Sequence, residues 1–325
     1  LAMSVSTLPP AIFVMGPTAS GKTDIAISLR GHLPVDIISV DSAQVYRQMD
    51  IGSAKPGRDA LKKHPHQLID IRDPIDAYSA GDFLKDAREK MTEISAAGRI
   101  PLLVGGTMLY FKVLLEGLAE LPQANQAIRD ELQERANKSG WPSLYEELKR
   151  VDPNTAGRLH PNHSQRIQRA LEVYLITGSP LSELQSLSKG QGIEDEYQVI
   201  QLALVCNNRS LLHERIAQRF HLMMELGLES EVKALYRRGD LTAASTAMRS
   251  AGYRQLWDYC DGQLTLDEAI EKGIIATRQL AKRQITWLRN WPSAHEIQVD
   301  NGEQYHSCIN ISNQSLKILR EHLIL

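Results

Sequence analysis

Cysteine is scarce in this chain: Cys206, Cys260 and Cys308 lie far apart and none forms a C-x-x-C pair. That spacing excludes a thiolate zinc site and a disulfide framework, and it suits a reducing compartment. No secretory leader and no run of about 18 apolar residues appears, so no membrane span is predicted and a cytoplasmic protein is expected. Net charge is only −2 over 325 residues. The chain therefore lacks a global positive field, and any basic surface for nucleic acid must be local. Repeats and low-complexity runs are also missing. What remains, 42% hydrophobic and 23% charged residues, is ordinary for a globular protein with a substantial core. The length allows one large domain or two. Leu1 and Ala2 precede Met3 and read as an expression remnant.

Against this plain background one segment carries chemistry. Gly16-Pro17-Thr18-Ala19-Ser20-Gly21-Lys22-Thr23 fits G-x-x-x-x-G-K-[ST], a loop whose backbone N–H groups wrap a diphosphate. It follows the apolar run Ala11–Met15, which reads as a buried strand, and precedes a helical pattern from Asp24 to Leu33. Glycine lets the backbone close around oxygen atoms, and the helix N-terminus adds partial positive charge. Lys22 is expected to reach the phosphates, and the Thr23 hydroxyl to ligate Mg²⁺. The loop says nothing about the rest of the ligand. ATP is the usual guest, but any compound ending in pyrophosphate satisfies the same donors.

Further apolar runs predict strands at Val35–Val40, Gln67–Ile71, Ile100–Val104 and Gln198–Cys206, and helical patterns lie between them. Ser79 is the expected N-cap of a helix ending before Gly98, and another helix is expected from Thr107 to Leu118. Later helices are expected near 210–226, 229–238 and 266–290. The alternation implies an α/β fold, a P-loop NTPase-like parallel sheet with a mainly helical insertion. The core is assigned to residues 11–122 and 197–291 and the insertion to 123–190; residues 293–325 form a tail without an assigned role. Gly16, Asp41 and Gly105 each follow a strand, so all three sit where open α/β sheets bind ligands.

Asp41 ends the second strand, early for the Mg²⁺-holding aspartate of an ATPase, and the later strand Leu102–Val104 runs into Gly105-Gly106-Thr107 with no acid. Asp41 is then a hydrogen-bond acceptor or general base for a nucleophile, or only a helix N-cap. Residues 275–291 carry Arg278, Lys282, Arg283 and Arg289 with Trp287 and Trp291 and no acid, a pairing of cations and aromatics suited to RNA. The histidines at 64, 66, 160 and 163 lack partners at metal-ligand spacing, and Met223-Met224 suits helix packing.

The loop at 16–23, Asp41-Ser42-Ala43-Gln44-Val45-Tyr46-Arg47 and Met49–Pro56 together resemble the tRNA dimethylallyltransferases. The likeness continues through Tyr78–Phe83, Gly105–Tyr110, Gln165-Arg166-Ile167-Gln168-Arg169-Ala170, Arg249–Gln255 and Lys282–Arg289, in family order. Ser53 departs from an expected threonine, and the zinc finger of eukaryotic relatives is absent. The resemblance implies transfer of a dimethylallyl group from its diphosphate to N6 of an adenosine beside the tRNA anticodon. It makes Lys22, Asp41, Thr107 and Arg219 catalytic, with Arg219 reaching the diphosphate. It assigns tRNA contacts to Asp41, Ser42, Ala43, Gln44 and Thr107, and to Gln165, Arg166, Ile167, Gln168 and Arg169. It adds Arg249, Gly252, Tyr253, Arg254, Lys282, Arg283, Gln284, Trp287 and Arg289. The implied partners are dimethylallyl diphosphate and a tRNA anticodon stem-loop; no protein partner is evident and a monomer is expected. A transferase acting on free adenine nucleotides, a small-molecule P-loop kinase and a non-catalytic RNA switch are the alternatives.

Overall fold

A parallel strand is covered on both faces by its crossover helices, so it must be apolar nearly throughout. The strands β1 (Pro10–Met15), β2 (Val35–Val40) and β4 (Ile100–Gly105) meet that demand and are almost wholly buried. In the computed structural model they form a sheet with β3 (His66–Gln67), β5 (Gln198–Val205) and β6 (His295–Gln298), in the order β3-β2-β4-β1-β5-β6. Every pairing is parallel. The structure describes residues 8–187 and 190–323. Leu1, Ala2 and the Lys189 end of the expected insertion lie outside them.

The expected strand Gln67–Ile71 is corrected to two residues. Leu68 and Asp70 adopt positive φ of 65° and 57°, which breaks the extended run. The Asp70 carboxylate instead pairs with the Lys55 ammonium at 2.5 Å. Helix α1 (Lys22–Arg30) starts directly at the glycine loop, and the short α2 (Arg58–Lys63) follows β2. In α3 (Ala80–Ala96), Ser79 accepts the Asp82 N–H while the Asp82 carboxylate accepts the Ser79 N–H, a reciprocal cap. Helix α4 (Met108–Glu116) leads from the sheet.

Chain contacts divide the protein into two compact units. The second, Glu116–Gly192, holds α5 (Gln126–Ser139), α6 (Trp141–Val151), α7 (Pro153–Ala156), α8 (Ser164–Thr177) and α9 (Leu181–Leu187). Its core comprises Leu132, Leu144, Leu148, Ile167, Leu171 and their neighbours. The buried Glu172 accepts from Arg129, Arg169 and the Asn125 N–H within that unit.

Beyond β5 the first unit adds α10 (Arg209–Glu225), α11 (Leu228–Arg237), α12 (Tyr253–Cys260) and α13 (Leu266–Arg289). After β6 comes α14 (Cys308–His322). Ile12, Val14, Ile25, Leu29, Leu102 and Leu204 form one core with Ile297, Ile311, Leu316 and Leu319. Residues after Ser293 thus complete the sheet and cover α1. Sequence pattern missed β6 because only Ile297 among its four residues is buried.

Burial pushes the Glu172 carboxyl up, but its hydrogen bonds from Arg129, Arg169 and Asn125 outweigh this and hold it below the usual range of about 4.5. Its contribution is present above that pH and is lost as pH falls through the lowered folded value. Glu172→Gln should therefore destabilise the protein by about 1–3 kcal/mol at pH 7. The deficit should shrink in acid, as calorimetry across pH would show; a variant as stable as the parent at pH 7 would contradict the account.

Candidate active site

The order β2-β4-β1 sets three strand ends side by side. The glycine loop leaves β1, Asp41 leaves β2, and Gly105-Gly106-Thr107 leaves β4. The residues after these strands face one cleft of about 990 Å³, with α10 and α13 supplying its other walls. The approach between strand ends is close. A Cβ on Gly105 would lie 1.9 Å from the Val40 carbonyl oxygen, so only glycine fits there.

In the loop, Ala19 and Gly21 take positive φ of 64° and 90°. Gly21 is the N-cap of α1 and has no side-chain cap. The first N–H groups of the helix are therefore open to an anion. Lys22 folds back and donates to the Pro17 carbonyl at 2.6 Å. Its ammonium is pushed down to about 7, chiefly by burial and then by the Arg219 guanidinium, against a smaller opposing pull from Asp41. Arg219, on α10, is also lowered, first by burial; Asp41 opposes this and Arg215 adds to it. The Arg219 guanidinium has no hydrogen-bond acceptor among the described residues. Two cations thus crowd one another beside an anion-binding loop.

Arg215, one helical turn earlier, donates to the Ala19 carbonyl at 3.1 Å and stacks over the Tyr305 ring at 4.2 Å. The C-terminal segment therefore supports the glycine loop. Thr23 lines the cleft, and its hydroxyl has no partner among the described residues. No cluster of three His, Cys, Asp or Glu side chains suited to a metal occurs among those residues. A Mg²⁺ ion held mainly by waters and phosphate oxygens needs few protein ligands, and the unpartnered Thr23 hydroxyl fits that need.

Asp41 makes a tight turn: its Oδ1 accepts the N–H groups of Ala43 and Gln44 at 2.8 and 3.2 Å. The other oxygen is left without a partner among the described residues and the side chain borders the cleft. Across from it, the Thr107 Oγ1 accepts the Ser42 N–H at 3.2 Å, which leaves the hydroxyl proton for donation. The Gln44 side chain is engaged: it accepts from the Ser39 hydroxyl at 2.9 Å and donates to the carbonyls of Ser53 and Ala54.

Glu231 on α11 was invisible to sequence reasoning. Its carboxylate accepts the N–H groups of Asp50, Ile51 and Gly52 at 2.8–3.1 Å and the Tyr253 hydroxyl at 2.6 Å. This carboxylate holds the loop whose next two carbonyls receive Gln44. Gly52 packs so tightly that a Cβ would meet Leu228 and Tyr253 at 2.7 Å. A glutamate on a helix face gives no signal of its backbone partners 179–181 residues away.

Several expected RNA contacts need correction. Ile167 and Tyr253 are wholly buried, which leaves no surface for RNA, and the mostly buried Gln284 at the cleft wall has its amide engaged with the Thr18 N–H and the Gly106 carbonyl. Gly252 is buried at a φ of 89° and starts α12. The Arg169 guanidinium is spent on Glu172 and the Pro122 carbonyl, and the Gln168 amide on the Arg129 carbonyl. Trp291 donates to Gln201 of β5. Arg254 is exposed but binds Asp258 and the Ala243 carbonyl. Exposed and without a side-chain partner among the described residues are Gln165, Arg166, Arg249, Lys282, Arg283 and Arg289. Arg249, Arg283 and Trp287 also border the cleft.

Residues 44–291 match the sequence profile of the family described as IPP transferase. The fold is similar to that of the full-length tRNA isopentenylpyrophosphate transferase of Bacillus halodurans, at 36% identity, with 96% of this chain and 97% of that one covered and a TM-score of 0.67. The tRNA delta(2)-isopentenylpyrophosphate transferase of Staphylococcus epidermidis is 31% identical, over 97% of this chain and 100% of that one, with a TM-score of 0.68. A eukaryotic dimethylallyltransferase acting on tRNA shares the fold at a TM-score of 0.78 and 23% identity, covering 97% of this chain and 81% of that one.

Because the folded value of Lys22, about 7, lies below its ordinary 10.5, the charged lysine opposes folding of the ligand-free protein. The penalty is full at and below pH 7 and fades as pH rises toward 10.5. Lys22→Met should raise the ligand-free unfolding temperature most at pH 7 or lower, while weakening pyrophosphate binding at least tenfold by titration calorimetry. A lowered unfolding temperature together with unchanged binding would refute this electrostatic account.

Proposed function

The chain belongs to the IPP transferase family, and we propose that it moves a dimethylallyl group from dimethylallyl diphosphate to N6 of an adenosine beside a tRNA anticodon. Pyrophosphate is released. The observation that carries this reading is the pairing of two buried and only partly compensated cations, Lys22 and Arg219, with a partly free carboxylate, Asp41, in one cleft. An anionic leaving group and a proton-bearing nucleophile need such a pair of environments.

The diphosphate lies along the glycine loop, with the N–H groups at the start of α1, Lys22 and Arg219 against its oxygens. As the bond from prenyl carbon to oxygen breaks, charge builds on the diphosphate, and donors already in place stabilise it without reorganising. Thr23 is the residue that would hold Mg²⁺, which when bound would neutralise further charge on the leaving group. The adenine amine is a weak nucleophile because its lone pair is delocalised into the ring. The free oxygen of Asp41 accepts a hydrogen bond from N6–H, orients the amine, and takes the proton as the new C–N bond forms. The Thr107 hydroxyl donates from the facing loop.

To reach the cleft the adenosine must leave its stack. Lys282, Arg283, Arg289 and Arg249 suit the phosphates, and Trp287 offers a ring for stacking. Within the helical unit 116–192, the exposed Gln165 and Arg166 also suit an RNA backbone. A free-nucleotide acceptor has no use for these exposed cations, which favours the tRNA reading. Such a substrate also fits a cytoplasmic protein, and no helix among the described residues is long and apolar enough to cross a membrane.

Asp41→Asn keeps the Oδ1 that forms the turn and removes the proton-accepting oxygen. It should lower kcat by about 10²–10⁴-fold while leaving the pyrophosphate Kd within about threefold. The assay combines protein, Mg²⁺, dimethylallyl diphosphate and unmodified tRNA, with mass spectrometry of the digested nucleosides. Prenylated adenosine formed at the parent rate would remove Asp41 from the chemistry, and transfer only to free AMP or ADP would overturn the RNA acceptor.

A further inference from the structure

Gln284 sits toward the C-terminal end of α13 and is buried between two loops that face each other across the cleft. Its Oε1 accepts the N–H of Thr18, in the glycine loop, at 2.8 Å. Its Nε2 donates to the carbonyl of Gly106, next to Thr107, also at 2.8 Å. One amide therefore spans the diphosphate side and the base side of the site. The fit is tight on the second loop: a Cβ on Gly106 would approach Gln284 Nε2 to 2.3 Å.

We propose that Gln284 is a positioning residue, setting the distance between the diphosphate loop and the loop that carries Thr107. This role rests on the prenyl-transfer reading above. Its neighbours sharpen the inference. Arg283 precedes it in the chain and Trp287 lies one turn on; both border the cleft with solvent-exposed side chains. The helix that offers cations to RNA on its outer side therefore fixes both reactive loops on its inner side. No other residue type serves equally well. The Thr18 N–H requires an acceptor and the Gly106 carbonyl requires a donor, and a carboxamide offers both at fixed spacing. A carboxylate would lack the donor, and an aliphatic chain would leave two buried backbone groups unpaired.

The two substrates bind on opposite sides of this bridge. Its loss should disturb their mutual alignment more than either affinity, and misplacement by about 1 Å costs on the order of 100-fold in rate. The test measures single-turnover prenyl transfer to an anticodon stem-loop at saturating substrates, alongside Kd values for inorganic pyrophosphate and for the stem-loop. Gln284→Met should lose about 10- to 100-fold in rate, with both Kd values within about threefold. Gly106→Ala, which displaces the amide while leaving Gln284 in place, should lose rate similarly. The double variant should be no slower than the worse single one, because both act on one bridge.

Parent-like rates in either folded single variant overturn the proposal. So does a stem-loop Kd weakened more than tenfold with the rate intact, which would make Gln284 an RNA contact. If Gln284→Met fails to fold, Gly106→Ala decides alone by the same criterion. A parent protein that transfers no prenyl group defeats the functional reading instead, and the positioning role falls with it.

Discussion

An ammonium and a guanidinium buried side by side, with the Asp41 carboxylate only partly offsetting the cost, govern this structure. Burial lowers both Lys22 and Arg219; the Arg219 guanidinium lowers Lys22 further, Arg215 lowers Arg219, and Asp41 opposes both shifts. The surrounding architecture keeps them there. Glycine at the loop's tight positions lets the backbone close, Arg215 ties down the Ala19 carbonyl, and the sheet core anchors β1 beneath. The ligand-free protein thus stores unfavourable charge that a diphosphate relieves. Binding energy is then largest for the species with the most negative charge on the oxygens, which in a displacement reaction is the departing pyrophosphate.

The base side is organised differently, by neutral and anionic hydrogen bonds rather than by repulsion. The Asp41 turn, the Gln44 amide, the carbonyls of Ser53 and Ala54, and the Glu231 carboxylate form a continuous chain of bonds out to Tyr253. Each side chain in it has its polar atoms largely committed to backbone groups. That leaves a single Asp41 oxygen facing the cleft, and the division of labour within one carboxylate separates holding the loop from accepting a proton.

Much of this was readable before the structure. The glycine loop announces itself through Gly16, Gly21 and Lys22, and β1, β2, β4 and β5 through largely apolar runs; buried parallel strands need nothing subtler. The reciprocal cap at Ser79 and Asp82 was likewise visible in part as an N-cap. What failed was orientation. The run Lys282-Arg283-Gln284 looks uniformly polar, yet Gln284 turns inward and Lys282 and Arg283 outward, a distinction set by helix phase against loops the sequence does not display. Helix phase likewise turns Tyr253 and Ile167 inward, each within its own unit. The Gln67–Ile71 run has strand composition, but left-handed backbone at Leu68 and Asp70 overrides it. Glu231 and Tyr305 act over long sequence separation, where local pattern carries no information.

The sheet order also bears on how the chain is made. Strand β1 is central, flanked by β4 and β5, yet β5 is synthesised only after the whole 116–192 unit. At about 5–20 residues per second, one edge of an almost wholly apolar strand waits on the order of ten seconds or more for its partner. The Tyr305 ring that braces Arg215 arrives later still. Throughout that interval the nascent chain presents a bare strand edge, a template for mispairing with neighbouring chains on the same message.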